Sequence, residues 1–280
     1  MGYKILSKKE LCPNQYELTI EAPYVVRNAQ AGQFVILRVD EEGERVPLTI
    51  ADFDKEKGEL TIVYMAVGYS TKKLAQLNVG DEIADVVGPL GKATHIKNYG
   101  TVACVAGGYG AAPCYLIAKA FKEAGNKVYM IMGARNKDLV FWQDKMKNAC
   151  TELFITTDDG TAGEKGFVTQ VLERIIGQEK VDYAIAVGPM PMMRAVANLT
   201  KDKEIYTEAS MNPIMVDGTG MCGACRVTVG DEVKFACVDG PDFDAHKIDF
   251  DEVINRTRIY KEQEVKRDEN CNLLKMQVKE

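Results

Sequence analysis

Between residues 15 and 87 the chain alternates apolar and polar positions in short runs, with turn residues between them. Gln15–Ile20, Gln33–Val39, Val46–Ala51, Glu59–Met65 and Glu82–Val87 read as strands, punctuated by Gly32, Gly43, Gly58, Gly80 and Gly88. Their regular spacing predicts an antiparallel β-barrel or sandwich over residues 1–96, interrupted by one helix at Ser70–Gln76. The pattern changes near Tyr99. Thr101–Ala106 and Lys127–Met132 are continuous apolar runs, as for strands covered on both faces. Glu152–Thr156, Asp182–Val187 and Glu204–Ala209 are further candidate strands. Ala112–Ala124, Asp138–Ala149, Gly166–Ile176 and Met190–Leu199 have helical spacing. This alternation predicts an α/β domain with a doubly wound parallel sheet over residues 97–210. From Ser210 the periodicity fails, and glycines crowd a group of cysteines within residues 211–248. Residues 249–280 form a charged tail with helical tendency.

Composition narrows the chemistry. Apolar residues make up 46% of the 280, enough for more than one core. No apolar run reaches the roughly 20 residues of a spanning helix, and the mixed, charged Met1–Glu10 resembles no leader, so a cytoplasmic protein without a membrane partner is expected. A net charge of −6 without a basic stripe argues against nucleic acid. Five of the eight cysteines, Cys12, Cys104, Cys114, Cys150 and Cys271, are scattered. Cys104, Cys114 and Cys150 fall in apolar or helical segments and read as small buried hydrophobes. His95 and His246 have no convincing partners in the sequence.

The other three cysteines carry the sharpest signal. Asp217, Cys222, Cys225 and Cys237 follow the spacing Asp-x4-Cys-x2-Cys-x11-Cys. Plant-type [2Fe–2S] proteins use Cys-x4-Cys-x2-Cys and a distant fourth cysteine, so Asp217 holds the first ligand position. A carboxylate binds iron through oxygen, although thiolate is the softer donor. Gly218, Gly220 and Gly223 suit a loop whose amides approach a cluster. A zinc site with one Asp and three Cys would need similar spacing. A solvated turn is the plain alternative for Asp217, with Cys271 or water then completing the set.

A glycine-rich turn, Gly107-Gly108-Tyr-Gly110-Ala-Ala-Pro113, sits between a predicted strand and helix, where a helix N-terminus favours a pyrophosphate. Pro113 stands where the dinucleotide fingerprint has its third glycine. Gly188-Pro189-Met-Pro-Met192 makes a second such turn, and Thr156-Thr-Asp158 ends a third strand on the same sheet edge. Arg135 follows the second strand, where a basic residue hints at a 2′-phosphate. A tight β–α connection would explain each turn equally well.

Three earlier pieces complete the series: Arg45-Val-Pro47-Leu48-Thr49, Gly68-Tyr-Ser70-Thr71 and Gly88-Pro89-Leu90-Gly91. Taken alone each is an ordinary strand end or turn. In this order, followed by the two glycine-rich turns, they resemble the ferredoxin–NADP reductase superfamily. The cysteine segment narrows the resemblance to electron-transfer subunits like that of dihydroorotate dehydrogenase. The Asp217 position and charged tail narrow it to small subunits of the NADH-dependent reduced ferredoxin:NADP oxidoreductase type. The resemblance implies an FAD-binding barrel, with Pro47, Leu48 and Thr49 along the flavin, Gly68, Ser70 and Thr71 at its pyrophosphate, and Gly88, Pro89 and Leu90 on its other side. It implies NAD(H) among Gly108, Gly110, Pro113, Asp158, Gly188, Pro189 and Met192, and a [2Fe–2S] cluster on the Asp–Cys set. It also implies a larger partner subunit with flavin and [4Fe–4S] clusters, and electron bifurcation between NADH, NADPH and ferredoxin. One departure stands out. The superfamily's usual arginine position, three residues before Thr49, is Val46, and Arg45 is its neighbour.

Overall fold

The computed structural model describes residues 2–267 and residue 269. The first part of the chain builds a seven-stranded antiparallel sheet from β1 (Tyr3–Cys12), β2 (Gln15–Glu21), β3 (Phe34–Arg38), β4 (Arg45–Asp54), β5 (Glu59–Met65), β6 (Glu82–Ile83) and β7 (Asp85–Leu90). The strand order is β6-β1-β2-β5-β4-β3-β7. Its two edges are consecutive in sequence with only Ala84 between them, so the sheet curls until the edges nearly meet. Alternation drives the curling. Along β2, Leu18 and Ile20 are buried while Glu21 is exposed, and Ile5, Ile50, Leu60 and Ile62 fill the same interior. Two short helices, α1 (Pro23–Val26) and α2 (Tyr69–Leu74), accompany the barrel.

The pattern-based expectation misses β1, because many of its side chains stay exposed and the mixed segment shows little periodicity. Its ladder to β2 orders it instead. The expected strand Glu82–Val87 is divided at Ala84, whose N–H turns to the Val39 carbonyl at 3.2 Å.

The second sheet contains β8 (Thr101–Gly107), β9 (Lys127–Ala134), β10 (Glu152–Thr157), β11 (Glu164–Lys165), β12 (Tyr183–Val187) and β13 (Thr207–Ser210). The helices between them are α3 (Ala111–Glu123), α4 (Gln143–Ala149), α5 (Val168–Gln178) and α6 (Met190–Lys201). Then come a separate hairpin, β14 (Arg226–Val229) and β15 (Glu232–Phe235), the strand β16 (Asp242–Asp244) and helix α7 (Phe250–Thr257). The order is β11-β10-β9-β8-β12-β13-β16, parallel from β11 to β13, with β16 returning antiparallel beside β13. The central strands β8 and β12 are buried almost throughout because helices cover both faces. Cys104, Cys114 and Cys150 lie in this core, as expected.

The helix expected over Asp138–Ala149 is broken. A tight turn covers Lys137–Leu139, and α4 starts only at Gln143. Between them Trp142 adopts a left-handed conformation with φ 54°, and its indole N–H donates to Glu17 of β2 at 2.6 Å. A tie between sheet and barrel therefore interrupts the helix. No helix among the described residues is long and apolar enough to cross a membrane.

Candidate functional site

The chain passes from β8 outward to β9 on one side and returns through β12 on the other. The crevice at the carboxyl ends of β8 and β12 is thus a topological switch point, the usual ligand position on such a sheet. Its two turns are pressed together. A Cβ on Gly110 would stand 2.5 Å from the Val187 carbonyl oxygen, so only glycine lets these backbones approach.

Two clefts open there. One of about 340 Å³ lies between barrel and sheet, lined by Pro47, Leu48 and Thr49 from β4 and by Gly110, Pro113 and Gly188 from the sheet turns. Six of the residues singled out in the sequence, from three distant segments, therefore share one cavity. Met211, Pro213 and Met215, at the start of the cysteine-bearing segment, close part of it. The second cleft, about 590 Å³, takes Gly108, Asp158, Pro189 and Met192. Exposed Asp158 and Arg135 stand at the ends of β10 and β9. Met65 and Tyr109 line both clefts and form a shared wall.

Both clefts contain buried polar atoms without partners. In the first it is the Tyr64 hydroxyl, and in the second the Gln15 carboxamide nitrogen and the Thr156 hydroxyl. Buried polar groups are almost always paired, so these three fit bound polar ligands. Sequence reasoning misses them, along with Met65 and Phe167. Tyr64, Met65 and Gln15 look like ordinary strand residues. Phe167 falls inside the expected helix Gly166–Ile176, and only its 65% exposure just before α5 marks it as a cleft residue.

Other expected contacts lie outside the cleft walls. Arg45 is exposed, and strand alternation puts it on the face of Pro47 and Thr49. Gly68 begins α2 with open space where a side chain would stand, beside Val67 of the first cleft. Ser70 donates to Glu44 at 2.5 Å. The Thr71 hydroxyl accepts from the Val67 and Gly68 N–H groups and so caps the helix. Gly88, Pro89 and Leu90 line neither cleft. Gly88 backs onto Val35, and Leu90 meets Gly218 of the cysteine loop. Glu44 also pairs with Arg267, whose guanidinium lies 4.9 Å from the Tyr69 ring centre, so the tail reaches back to this corner.

The hairpin β14–β15 sets Cys225 against Cys237. Arg226 faces Phe235 in register, Ala236 donates to the Cys225 carbonyl at 3.0 Å, and the two sulfurs lie 3.2 Å apart. Both thiols are buried. Burial first, and the neighbouring Cys225 second, push the Cys237 thiol up to about 12, so a bare thiolate is disfavoured there. Asp217 accepts the N–H of Thr219 at 2.8 Å and of Cys222 at 3.0 Å, which holds its carboxyl below the usual range. Gly218, Gly220 and Gly223, with φ of 77°, 85° and 66°, bend the loop back. Cys222 points to solvent, and among the described residues no three Asp, Glu, Cys or His side chains converge as a metal site. Two of the four expected ligands are thus together and a third is anchored nearby, and Cys222 must turn inward to complete the set. A soft buried thiol pair beside an anionic carboxylate fits an iron–sulfur cluster. Cys271 lies outside the described residues.

Comparisons agree with this geometry. Residues 212–249 match the family described as the iron–sulfur cluster binding domain of dihydroorotate dehydrogenase B, and residues 104–198 match the oxidoreductase NAD-binding domain. The chain is 45% identical to the Thermotoga maritima dihydroorotate dehydrogenase B (NAD(+)) electron transfer subunit homolog, over 93% of this chain and 92% of that one. It is 36% identical to the dihydroorotate dehydrogenase B (NAD(+)) electron transfer subunit of Bacillus pumilus, over 87% and 96%. A chain of the NADH-dependent reduced ferredoxin-NADP oxidoreductase structure, solved in a study of flavin-based electron bifurcation, superposes with a TM-score of 0.93 at 43% identity over 98% of both chains. Phthalate dioxygenase reductase, at 16% identity and a TM-score of 0.58 over 82% of this chain and 86% of that one, shares the fold.

Proposed function

The chain belongs to the family of dihydroorotate dehydrogenase B electron-transfer subunits, and from that premise we propose that it passes electrons between NAD(H) and a larger flavin and [4Fe–4S] partner. It is an oxidoreductase subunit of the NADH-dependent reduced ferredoxin:NADP oxidoreductase type, with FAD, a [2Fe–2S] cluster and NAD(H) as cofactors. In our reading the barrel, residues 1–96, holds FAD, residues 97–210 hold NAD(H), residues 211–248 hold the cluster and residues 249–280 form the tail. FAD, when bound, supplies two-electron hydride chemistry toward the nicotinamide and one-electron chemistry toward the cluster.

The side chains supply position and electrostatics. Pro47, Leu48 and Thr49 shape the slot for the ring system, while Gly68, Ser70 and Thr71 receive its pyrophosphate, with Arg45 near the same strand end. Gly108, Gly110, Pro113, Gly188, Pro189 and Met192 hold the nucleotide along the sheet edge. Asp217, Cys222, Cys225 and Cys237 carry the irons, and backbone N–H groups of the glycine-rich loop tune them.

The shared wall of Met65 and Tyr109 supports this reading, because the two clefts it lines are neighbours and the cysteine segment closes part of the first one. Hydride transfer needs such contact between reacting groups. The complex as a whole would then couple NADH, NADPH and ferredoxin by electron bifurcation. The relatives' names favour dihydroorotate as a second reading, and only the partner subunit distinguishes the two. The test is anaerobic purification with the natural partner, followed by flavin and iron analysis and identification of the co-purified chain. Flavin, iron and a [4Fe–4S] flavoprotein are expected. Material lacking both flavin and iron overturns the reading.

A further inference from the structure

Two side chains of the larger cleft make no hydrogen bond although both are enclosed. Gln15 is 2% exposed with its Nε2 unpaired, and Thr156 is 1% exposed with its Oγ1 unpaired. Such groups are rare in folded proteins and call for a partner. They come from opposite walls. Gln15 opens β2 of the barrel, and Thr156 lies near the carboxyl end of β10.

Their register neighbours place them along the cleft. Gln15 lies opposite Met65, which also lines the flavin cleft, so Gln15 stands where the two cavities meet. Thr156 lies opposite Gly133 and two residues before Asp158, at the end away from that wall. Gly133 keeps space open there. A Cβ at that position would stand 2.6 Å from Val168 Cγ1 and 3.5 Å from the Thr156 hydroxyl.

We propose that Gln15 and Thr156 recognise the two halves of the nicotinamide nucleotide, Gln15 the nicotinamide–ribose half and Thr156 the adenosine half. This rests on the cleft being the NAD(H) site and names two of its determinants. The nicotinamide carboxamide offers one donor group and one acceptor, so either orientation of the Gln15 amide finds a complement. The adenosine ribose offers hydroxyls to a threonine that both donates and accepts. The nucleotide then spans barrel and sheet, and neither wall alone binds it fully.

The test uses the flavin- and cluster-loaded full chain with its partner, the near-isosteric variants Gln15→Met and Thr156→Val, and binding titrations with NADH, reduced nicotinamide mononucleotide and ADP-ribose. Gln15→Met should weaken NADH and the mononucleotide by about five- to tenfold and leave ADP-ribose unchanged. Thr156→Val should weaken NADH and ADP-ribose by a similar factor and spare the mononucleotide. Nucleotide-free thermal stability should stay equal or rise in both, because an unpaired polar group is replaced by an apolar one of similar shape. A stability loss matching the affinity loss would mean a merely structural role and overturns the assignment. Unchanged affinities in both variants overturn it while leaving the NAD(H) reading intact. Wild-type protein that binds none of the three probes overturns that reading itself.

Discussion

Asp242 shows how one side chain can set a pH window. The residue is partly exposed, but its carboxyl turns into the seam between barrel and sheet, where Oδ2 accepts the Thr94 hydroxyl at 2.5 Å and Oδ1 is buried without a partner. Burial, reinforced by nearby Glu208, pushes the carboxyl up to about 6 despite the hydroxyls of Thr94 and Ser210. An acid raised in the folded state stabilises it fully below the unfolded value near 3.8 and loses that contribution as pH rises through about 6. The loss is at most about 3 kcal/mol. Asp242→Asn should flatten the dependence of denaturant midpoint on pH between about 4 and 7, which urea titrations across that range would show. A second residue-scale expectation concerns Asp217→Ala, which should lower iron content while leaving flavin bound. Full iron occupancy in that variant removes Asp217 from the ligand set. At this scale the sequence spoke clearly where chemistry is rare, as in the cysteine spacing. It was silent about Gln15, Tyr64 and Thr156, whose types are ordinary and whose meaning comes only from burial without partners.

Among elements, the most constrained contact is the pair of turns at the carboxyl ends of β8 and β12. Gly110→Ala places a methyl 2.5 Å from the Val187 carbonyl and 2.9 Å from the Gly188 Cα, both backbone atoms that cannot rotate away. The expected cost is about 1–3 kcal/mol, as for other overpacked sites. NADH affinity should fall with it while flavin absorbance persists, which calorimetry and a visible spectrum would separate. These parallel strands and helices were legible because strands covered on both faces are continuously apolar and their helices keep a 3.6-residue period. The hairpin β14–β15 and the strand β16 were not legible. They are three or four residues long, mostly half-exposed, and determined by pairing across the cysteine loop. The break at Trp142 was hidden for a related reason, since its cause is a carboxylate 125 residues away.

At the level of the molecule, the polar ties between barrel and sheet include Trp142 to Glu17 and Thr94 to Asp242. Trp142→Phe keeps the ring packing near Tyr115 but removes the donor from a partly buried carboxylate. A loss of about 1–3 kcal/mol in denaturant midpoint is expected, with little change in flavin content. The seam matters because the first cleft lies on it, so the two halves must dock before a ligand can be held by both.

The placement of Ser210 opposite Asp242 has a consequence for how such a protein can be taken apart. Everything from residue 211 to residue 241 leaves the sheet and returns to it on neighbouring strands, like a balcony whose supports share one beam. A short turn could bridge that gap without disturbing the six parallel strands. The trimmed chain should still reduce hydride acceptors at the expense of NADH, though with a looser flavin, because Met211, Pro213 and Met215 leave with the excursion. It should have lost its one-electron outlet. On the proposed reading, the one-electron outlet to the partner is an excursion that leaves and rejoins the rim of the sheet between Ser210 and Asp242.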